Sequence, residues 1–202
     1  MKKRNVGLVL ALGLALGCLG GCKEKEKIEI VDGHEMINQE ILINETNFPD
    51  EVFRADVKRL FDKDGNDRLS YDERDTFVEV ILTSSGVKDL KGIECLPNVV
   101  RLLVKDNQLT ELDLSQNDGL TMLMCSGNQL TKLKLPEMCR INVLQCEDNQ
   151  LTELDLSECR VLEFLTCKNN KLTELDLSNC FYEVKVTADE GVNIIWPTKA
   201  EE

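Results

Sequence analysis

The sequence repeats itself with a step of 21 residues, and that period limits what the chain can fold into more than any other feature. Asn-Gln-Leu-Thr stands at 107–110, 128–131 and 149–152, and Asn-Lys-Leu-Thr at 170–173. Reading outward from these anchors gives a unit L-x-x-L-x-C-x-x-N-x-L-T-x-L-D-L-S-x-x-x-x. Its copies begin at Val99, Leu120, Ile141 and Leu162, with a decayed copy at Glu183. An earlier copy is legible from about Val78, with Val80, Leu82, Ser85, Val87 and Leu90 in the key positions and a first step of 22 residues. One unit cannot bury its own apolar edge, so the units must stack and each repeated position becomes a column.

The second half of the unit, Leu-Thr-x-Leu-Asp-Leu-Ser, alternates apolar and polar residues as a strand does, and no unit has room for a long helix. Two short strands per coil are expected, one on each side. Leu102, Leu123, Leu144 and Leu165 form one inward column, and Leu109, Leu130, Leu151 and Leu172 another. Asn107, Asn128, Asn149 and Asn170 sit where the chain leaves the first strand. An amide buried there can donate to and accept from backbone groups that would otherwise lack partners. Gly191 holds that position in the last copy and marks the end of the array.

This unit resembles the leucine-rich repeat, and in particular the bacterial surface repeats of the internalin type, including those with cysteine in the strand. The resemblance runs from about Val78 to Trp196. It implies a mostly β solenoid whose first strands form a concave sheet, and attachment or recognition as its work. In the outward positions of those strands one column is Arg101, Met122, Val143, Phe164 and Lys185, and its neighbour is Leu103, Met124, Gln145, Thr166 and Thr187. Leu103, Met122, Met124, Val143 and Phe164 then make an apolar patch flanked by Arg101, Lys105, Lys168 and Lys185. Such a patch marks an interaction surface, here for a protein or glycan partner. The opposite side carries Glu111, Lys132, Glu153, Glu174 and Asp113, Lys134, Asp155, Asp176, a solvated, mainly acidic face.

Nine cysteines in one chain invite a disulfide reading. Cys125, Cys146 and Cys167 share a repeat position that Val104 holds one coil earlier; Cys159 and Cys180 share another, with Met138 and Cys95 in equivalent places. Replacement by Val and Met says these sites want a compact apolar side chain, so free thiols are expected. In-register parallel side chains do not meet at the usual disulfide torsion. His34 lies outside the array and reads as a plain surface residue, and no cysteine spacing suggests zinc.

Residues 62–73 read as a 12-residue EF-hand loop. Asp62, Asp64 and Asn66 would offer side-chain oxygens, Arg68 its backbone carbonyl, Ser70 its hydroxyl directly or through water, and Glu73 both carboxylate oxygens. Val52, Phe53, Val57, Leu60 and Phe61 lie on one face of an entering helix started by Pro49 and Asp50, and Tyr71 to about Phe77 forms a short exit helix. Asp67 replaces the glycine at position 6 and must adopt a left-handed conformation. That departure, and the lack of a second EF-hand, predict weak calcium binding, with a Kd of about 10⁻⁴–10⁻³ M. The ion would stiffen a helical cap over the first coil.

At the N-terminus Lys2, Lys3 and Arg4 precede an apolar run from Val6 to Gly17, too short to span a bilayer. Leu19-Gly20-Gly21-Cys22 resembles the lipobox of bacterial lipoproteins, which implies lipidation of Cys22 and a chain held on the outer face of the membrane. Cleavage there would remove three cations and take the formal charge from −13 to −16, which argues against nucleic acid as a partner. The expected organisation is a signal peptide at 1–22, a linker and N-terminal extension at 23–47, an EF-hand-like cap at 48–77, repeats at 78–182 and a C-terminal cap and tail at 183–202. Val184, Val186, Val192, Ile194 and Ile195 read as closing strands, with Trp196 covering the last coil. The sequence holds one histidine, no phosphate loop and no nucleophile motif, which disfavours an enzyme. A binding or adhesion protein is the expected function. The alternative is a calcium-stabilised structural component of the envelope without a specific ligand.

Overall fold

The computed structural model describes residues 27–76 and 78–197. Expectations for the signal peptide, Cys22, most of the Lys23–Lys27 linker, Phe77 and the tail after residue 197 lie outside those residues. The rest is a mostly β solenoid. Its spine is a six-stranded parallel sheet made of β5 (Val78–Ile81), β6 (Val99–Leu103), β8 (Met122–Met124), β10 (Val143–Gln145), β11 (Phe164–Thr166) and β13 (Lys185–Thr187), stacked in that order. Opposite them run two shorter parallel pairs, β7 (Glu111–Asp113) with β9 (Lys132–Lys134) and β12 (Glu174–Asp176) with β14 (Asn193–Ile195).

Register follows the repeat. Leu102, Leu123, Leu144 and Leu165 pair in sequence and are wholly buried. The 22-residue first step has a local cause, a bulge between Val78 and Glu79, so that Val78 pairs with Val99 but Val80 with Leu102. The asparagine column acts as the sequence implied. Asn149 donates through Nδ2 to the carbonyls of Cys125 (3.0 Å), Cys146 (3.1 Å) and Glu147 (3.2 Å) and accepts from Leu130 N–H (2.9 Å). Asn107, Asn128 and Asn170 repeat the pattern. At Gly191 the amide is missing, and nearby Asp189 accepts from the N–H groups of Asn169 and Asn170.

The N-terminal extension is built structure from Glu29 onward rather than linker. Strands β1 (Glu29–Val31), β2 (His34–Ile37) and β3 (Glu40–Leu42) form an antiparallel meander, and β3 pairs in turn with β4 (Arg68–Leu69) inside the EF-hand-like loop. Helix α1 (Glu51–Phe61) enters that loop and α2 (Tyr71–Arg74) leaves it, shorter than the sequence suggested. Asp50 caps α1 as expected, its Oδ1 accepting from Val52 and Phe53 N–H at 3.0 Å. Its second oxygen accepts from Lys88 and Asp89 N–H in the first coil, so one carboxylate ties cap to array. Phe48, Phe53, Val57, Phe61 and Leu69 are buried in one core with Val80, Leu82, Val87 and Ile93, and this seals the array's first apolar edge. Val52, expected on the buried face, is instead exposed.

Three further expectations are corrected. His34 is no plain surface residue: its side chain is 14% exposed and lies against Cys95. Trp196 does not cover the last coil and stays 46% exposed, while Val184 is buried and Val186, Val192 and Ile194 pack on the core. The cysteines are not all free, since Cys139 and Cys159 form a disulfide with their Cα atoms 4.9 Å apart.

That bond has a local reason. Asp113, Asp155 and Asp176 each accept from the N–H two residues on, of Ser115, Ser157 and Ser178, closing the turn after the second strand. In the coil between, the same positions are Lys134 and Pro136, which offer neither acceptor nor donor. The turn slips by one residue there. Met138 swings out to solvent and Cys139 is buried in its place, one coil spacing from Cys159. These cysteines lie in turns, not on in-register strands, so the torsional objection to a disulfide does not reach them. The second side also opens here. Residues 153–155 form no strand, and a cleft of about 660 Å³ lies along 132–137 and 152–159.

Candidate functional site

The outward face of the six-stranded sheet carries the columns expected from the repeat. Arg101, Met122, Val143, Phe164 and Lys185 pair in line, as do Leu103, Met124, Gln145, Thr166 and Thr187. Their neighbours Leu102, Leu123, Leu144 and Leu165 fill the core, so strand alternation forces this set outward. Leu103, Met122, Met124 and Val143 are half-buried by one another, and Phe164 is 42% exposed. Ile81, at 55% exposure, extends the patch by one coil, because Ile81 pairs with Leu103. The sequence carried that signal in the register of β5, one residue beyond Val80.

Charges rim the patch. The Arg101 guanidinium pairs with Glu79 (3.2 Å) and donates to the Met122 sulfur (3.5 Å), and the Lys185 ammonium sits 5.1 Å from the Phe164 ring centroid. The hydroxyl of Thr166 donates to Glu147, which occupies the rim between Lys105 and Lys168. On the opposite side Glu111 and Asp113 pair in register with Lys132 and Lys134, all exposed, the solvated charged face expected there.

In the EF-hand-like loop the three expected carboxylate ligands come together. Oxygens of Asp62, Asp64 and Glu73 lie within 4.8 Å of one another. Asp67 adopts the expected left-handed conformation at φ 60°, and Asp62 accepts from the N–H groups of Asn66 (3.0 Å) and Asp67 (3.1 Å). The side chains of Asn66 and Ser70 are turned to other work: Asn66 Nδ2 donates to Asp64 (2.8 Å), and the Ser70 hydroxyl donates to Glu73 (2.8 Å) within a capping box that starts α2. Arg68 lies in β4, paired with Leu42, while Leu69 pairs with Ile41. Ile43 N–H donates to the Asp67 carbonyl (2.9 Å). The backbone pairing that a second EF-hand would give this loop thus comes from the meander. Partial burial works to raise the Glu73 pKa, but the Ser70 N–H and hydroxyl and the Lys63 N–H together hold its carboxyl below the usual range. Three converging carboxylates are hard oxygen donors of the kind calcium takes.

Cys125, Cys146 and Cys167, each just past a strand of the main sheet, stack in the interior as free thiols. Burial pushes Cys125 up to about 12 and Cys167 up to about 11, and raises Cys146 well above its ordinary value. Since the thiolate is the reactive form, these groups are expected to take up an alkylating reagent only as fast as the solenoid opens. Mass spectrometry of the labelled chain checks this; fast native-state labelling of Cys146 would refute it.

No family model matches the chain. Internalin J of Listeria monocytogenes is 36% identical over 70 residues, which is 35% of this chain and 8% of internalin J. The solved functional domain of InlJ from Listeria monocytogenes, described as including a cysteine ladder, superposes with a TM-score of 0.63 at 35% identity, over 70% of this chain and 31% of that domain. The crystal structure of an internalin (inlF) from the same species is 19% identical, with a TM-score of 0.42 over 72% of this chain and 53% of that one. The chain therefore spans less than a third of the InlJ domain it most resembles in sequence among these. The chain has the leucine-rich repeat fold, a mostly β solenoid, and is similar over 70% of its length to the InlJ functional domain.

Proposed function

We propose that this chain is an extracellular binding module, held at a bacterial membrane by a lipid on Cys22, that takes a protein or glycan partner on the outward face of its parallel sheet. The observation that carries this reading is the contiguous apolar surface of Ile81, Leu103, Met122, Met124, Val143 and Phe164 on strands whose other face is already spent on the core. The similarity to internalin J points the same way. We read the chain as a binding protein rather than an enzyme.

The test is a binding screen of immobilised glycans and surface proteins, followed by Phe164→Asp. The ring is half out in solvent, so stability should change by only about 0.5 kcal/mol. Binding should fall by more than about tenfold, as for an interface anchor worth about 2 kcal/mol. Partner binding that survives the aspartate would remove this face from consideration.

Calcium belongs to the same reading as a weak structural ion of the cap. Asp62, Asp64 and Glu73 would hold it, with Asn66, Ser70 and the Arg68 carbonyl completing the set, and it would neutralise a cluster that otherwise repels itself. Glu73→Gln separates this from an acidic capping turn, because glutamine keeps the capping box but not the charge. Millimolar calcium is expected to raise the melting temperature of the unaltered chain and leave the variant where it was. Equal shifts in both would refute the site. A calcium shift without any partner in the screen would favour the structural role alone.

A further inference from the structure

We propose that His34, Glu94 and Cys95 form a site for a zinc-class divalent ion, which clips the N-terminal meander to the first coil. His34 opens β2, and Cys95 ends a short 3-10 turn, Ile93–Cys95, in the first coil. The Cys95 sulfur lies 3.5 Å from His34 Nδ1 and 3.6 Å from Nε2, and Glu94 Oε1 is 3.6 Å from Nε2. One ligand atom from each of the three lies within 4.8 Å of the others. A tetrahedral zinc, with bonds of about 2.3 Å to sulfur and about 2.0–2.2 Å to nitrogen and oxygen, sets its ligands about 3.4–3.6 Å apart. The sulfur–nitrogen and nitrogen–oxygen spacings are there already.

The ligands are also held from behind. Glu94 Oε2 accepts from Gly92 N–H (2.8 Å), which leaves Oε1 toward the imidazole. Gly92 sits at φ 99° with Phe48 packed on it; a Cβ there would meet Phe48 Cδ1 at 2.3 Å, so the turn has no room to slide. On the other strand, buried Asn47 brackets Glu35, accepting from its N–H and donating to its carbonyl at 2.8 Å each, which fixes β2 beside His34. Such outer contacts are what orient a metal's ligands. Cys95 is buried, whereas His34 and Glu94 reach the surface and leave a path for the ion and a fourth position for water. The nearby cations are Arg74 and Lys91, and the Lys91 ammonium is taken up by the Thr46 carbonyl (3.0 Å).

The repeat has no use for this arrangement. Of the equivalent cysteines, Cys159 serves a disulfide and Cys180 is a buried thiol that donates to the Cys159 carbonyl, and His34, the chain's one histidine, comes from outside the array. A thiolate, an imidazole and one carboxylate suit zinc or its neighbours, while the all-oxygen loop at 62–73 suits calcium, so the two sites sort cations by softness. On binding, the Cys95 thiol gives its proton to solvent and the ion keeps its charge.

The full-length chain is titrated with cobalt(II) and then zinc, under nitrogen and without reductant so that Cys139 and Cys159 stay joined. One equivalent of cobalt is expected to give tetrahedral visible bands and a sulfur-to-cobalt charge-transfer band, both abolished by one equivalent of zinc and untouched by excess calcium. Cys95→Ser removes the sulfur band, and His34→Gln weakens binding by more than about a hundredfold, beyond a typical outer-contact loss. Zinc raises the melting temperature of the unaltered chain but not of His34→Gln. A spectrum without the sulfur band, a band that survives Cys95→Ser, or an unchanged affinity in His34→Gln overturns the proposal. If Cys95→Ser does not fold, His34→Gln decides alone.

Discussion

Replacing Asn149 by alanine is expected to destabilise the chain by about 2–4 kcal/mol, measured by denaturant unfolding. The amide lies inside the solenoid and serves two neighbouring coils at once. Its oxygen is the acceptor for Leu130 N–H, and its NH₂ group bridges the carbonyls of Cys125 and Cys146. Each of those carbonyls keeps one other asparagine, Asn128 for Cys125 and Asn170 for Cys146. Truncation therefore leaves one buried N–H with no partner and two carbonyls half served. An unpaired buried donor alone costs about 1–3 kcal/mol, and the void adds to it. Gln150→Ala, one residue on and exposed, is the control. Equal effects at the two positions would sink the account of the asparagine column.

Loss of the Cys139–Cys159 bond is expected to cost about 2–4 kcal/mol, the usual figure for a loop near 20 residues. Here the bond stands in for what Lys134 and Pro136 removed: the Asp–Ser turn closure and the second-side strand at 153–155. Unfolding of Cys139→Ser, compared with the unaltered chain with and without reductant, checks it. The unaltered chain should match the variant once reduced. A reductant that leaves the midpoint in place would show that the bond does not form. Asp113→Asn with Lys134 kept, which disturbs an intact turn, should matter less.

The columns were legible because each position recurs, so one misread copy is corrected by three others. Leu102 through Leu165 buried, Phe164 outward and Asn149 bridging all follow from period alone. The EF-hand-like loop was legible from its acid spacing, down to the left-handed Asp67. What escaped were features that occur once. Cys139 took the place of Met138 because Pro136 displaced a turn, and the repeat unit averages that away. His34 meets Cys95 across 61 residues, and nothing near it in sequence marks the contact. Ile43 and β3 replace a missing EF-hand through backbone groups, which carry no side-chain code. Trp196 was misjudged because a large apolar residue at the end of an array reads as a lid, whereas Val192 and, in β14, Ile194 close that end.

The constant register also bears on how such a chain changes length. Every coil meets its neighbours through the same columns, so copying or deleting 21 residues leaves each new junction resembling an old one. The binding face can then lengthen by whole strands with no redesign of the interior. The exception is the pair tied by Cys139 and Cys159. Those two coils can be inherited only together, because a duplication that parts them would strand one cysteine without its mate and leave the displaced turn at Pro136 unsupported. Growth at either flank of that pair is free; growth inside it is not.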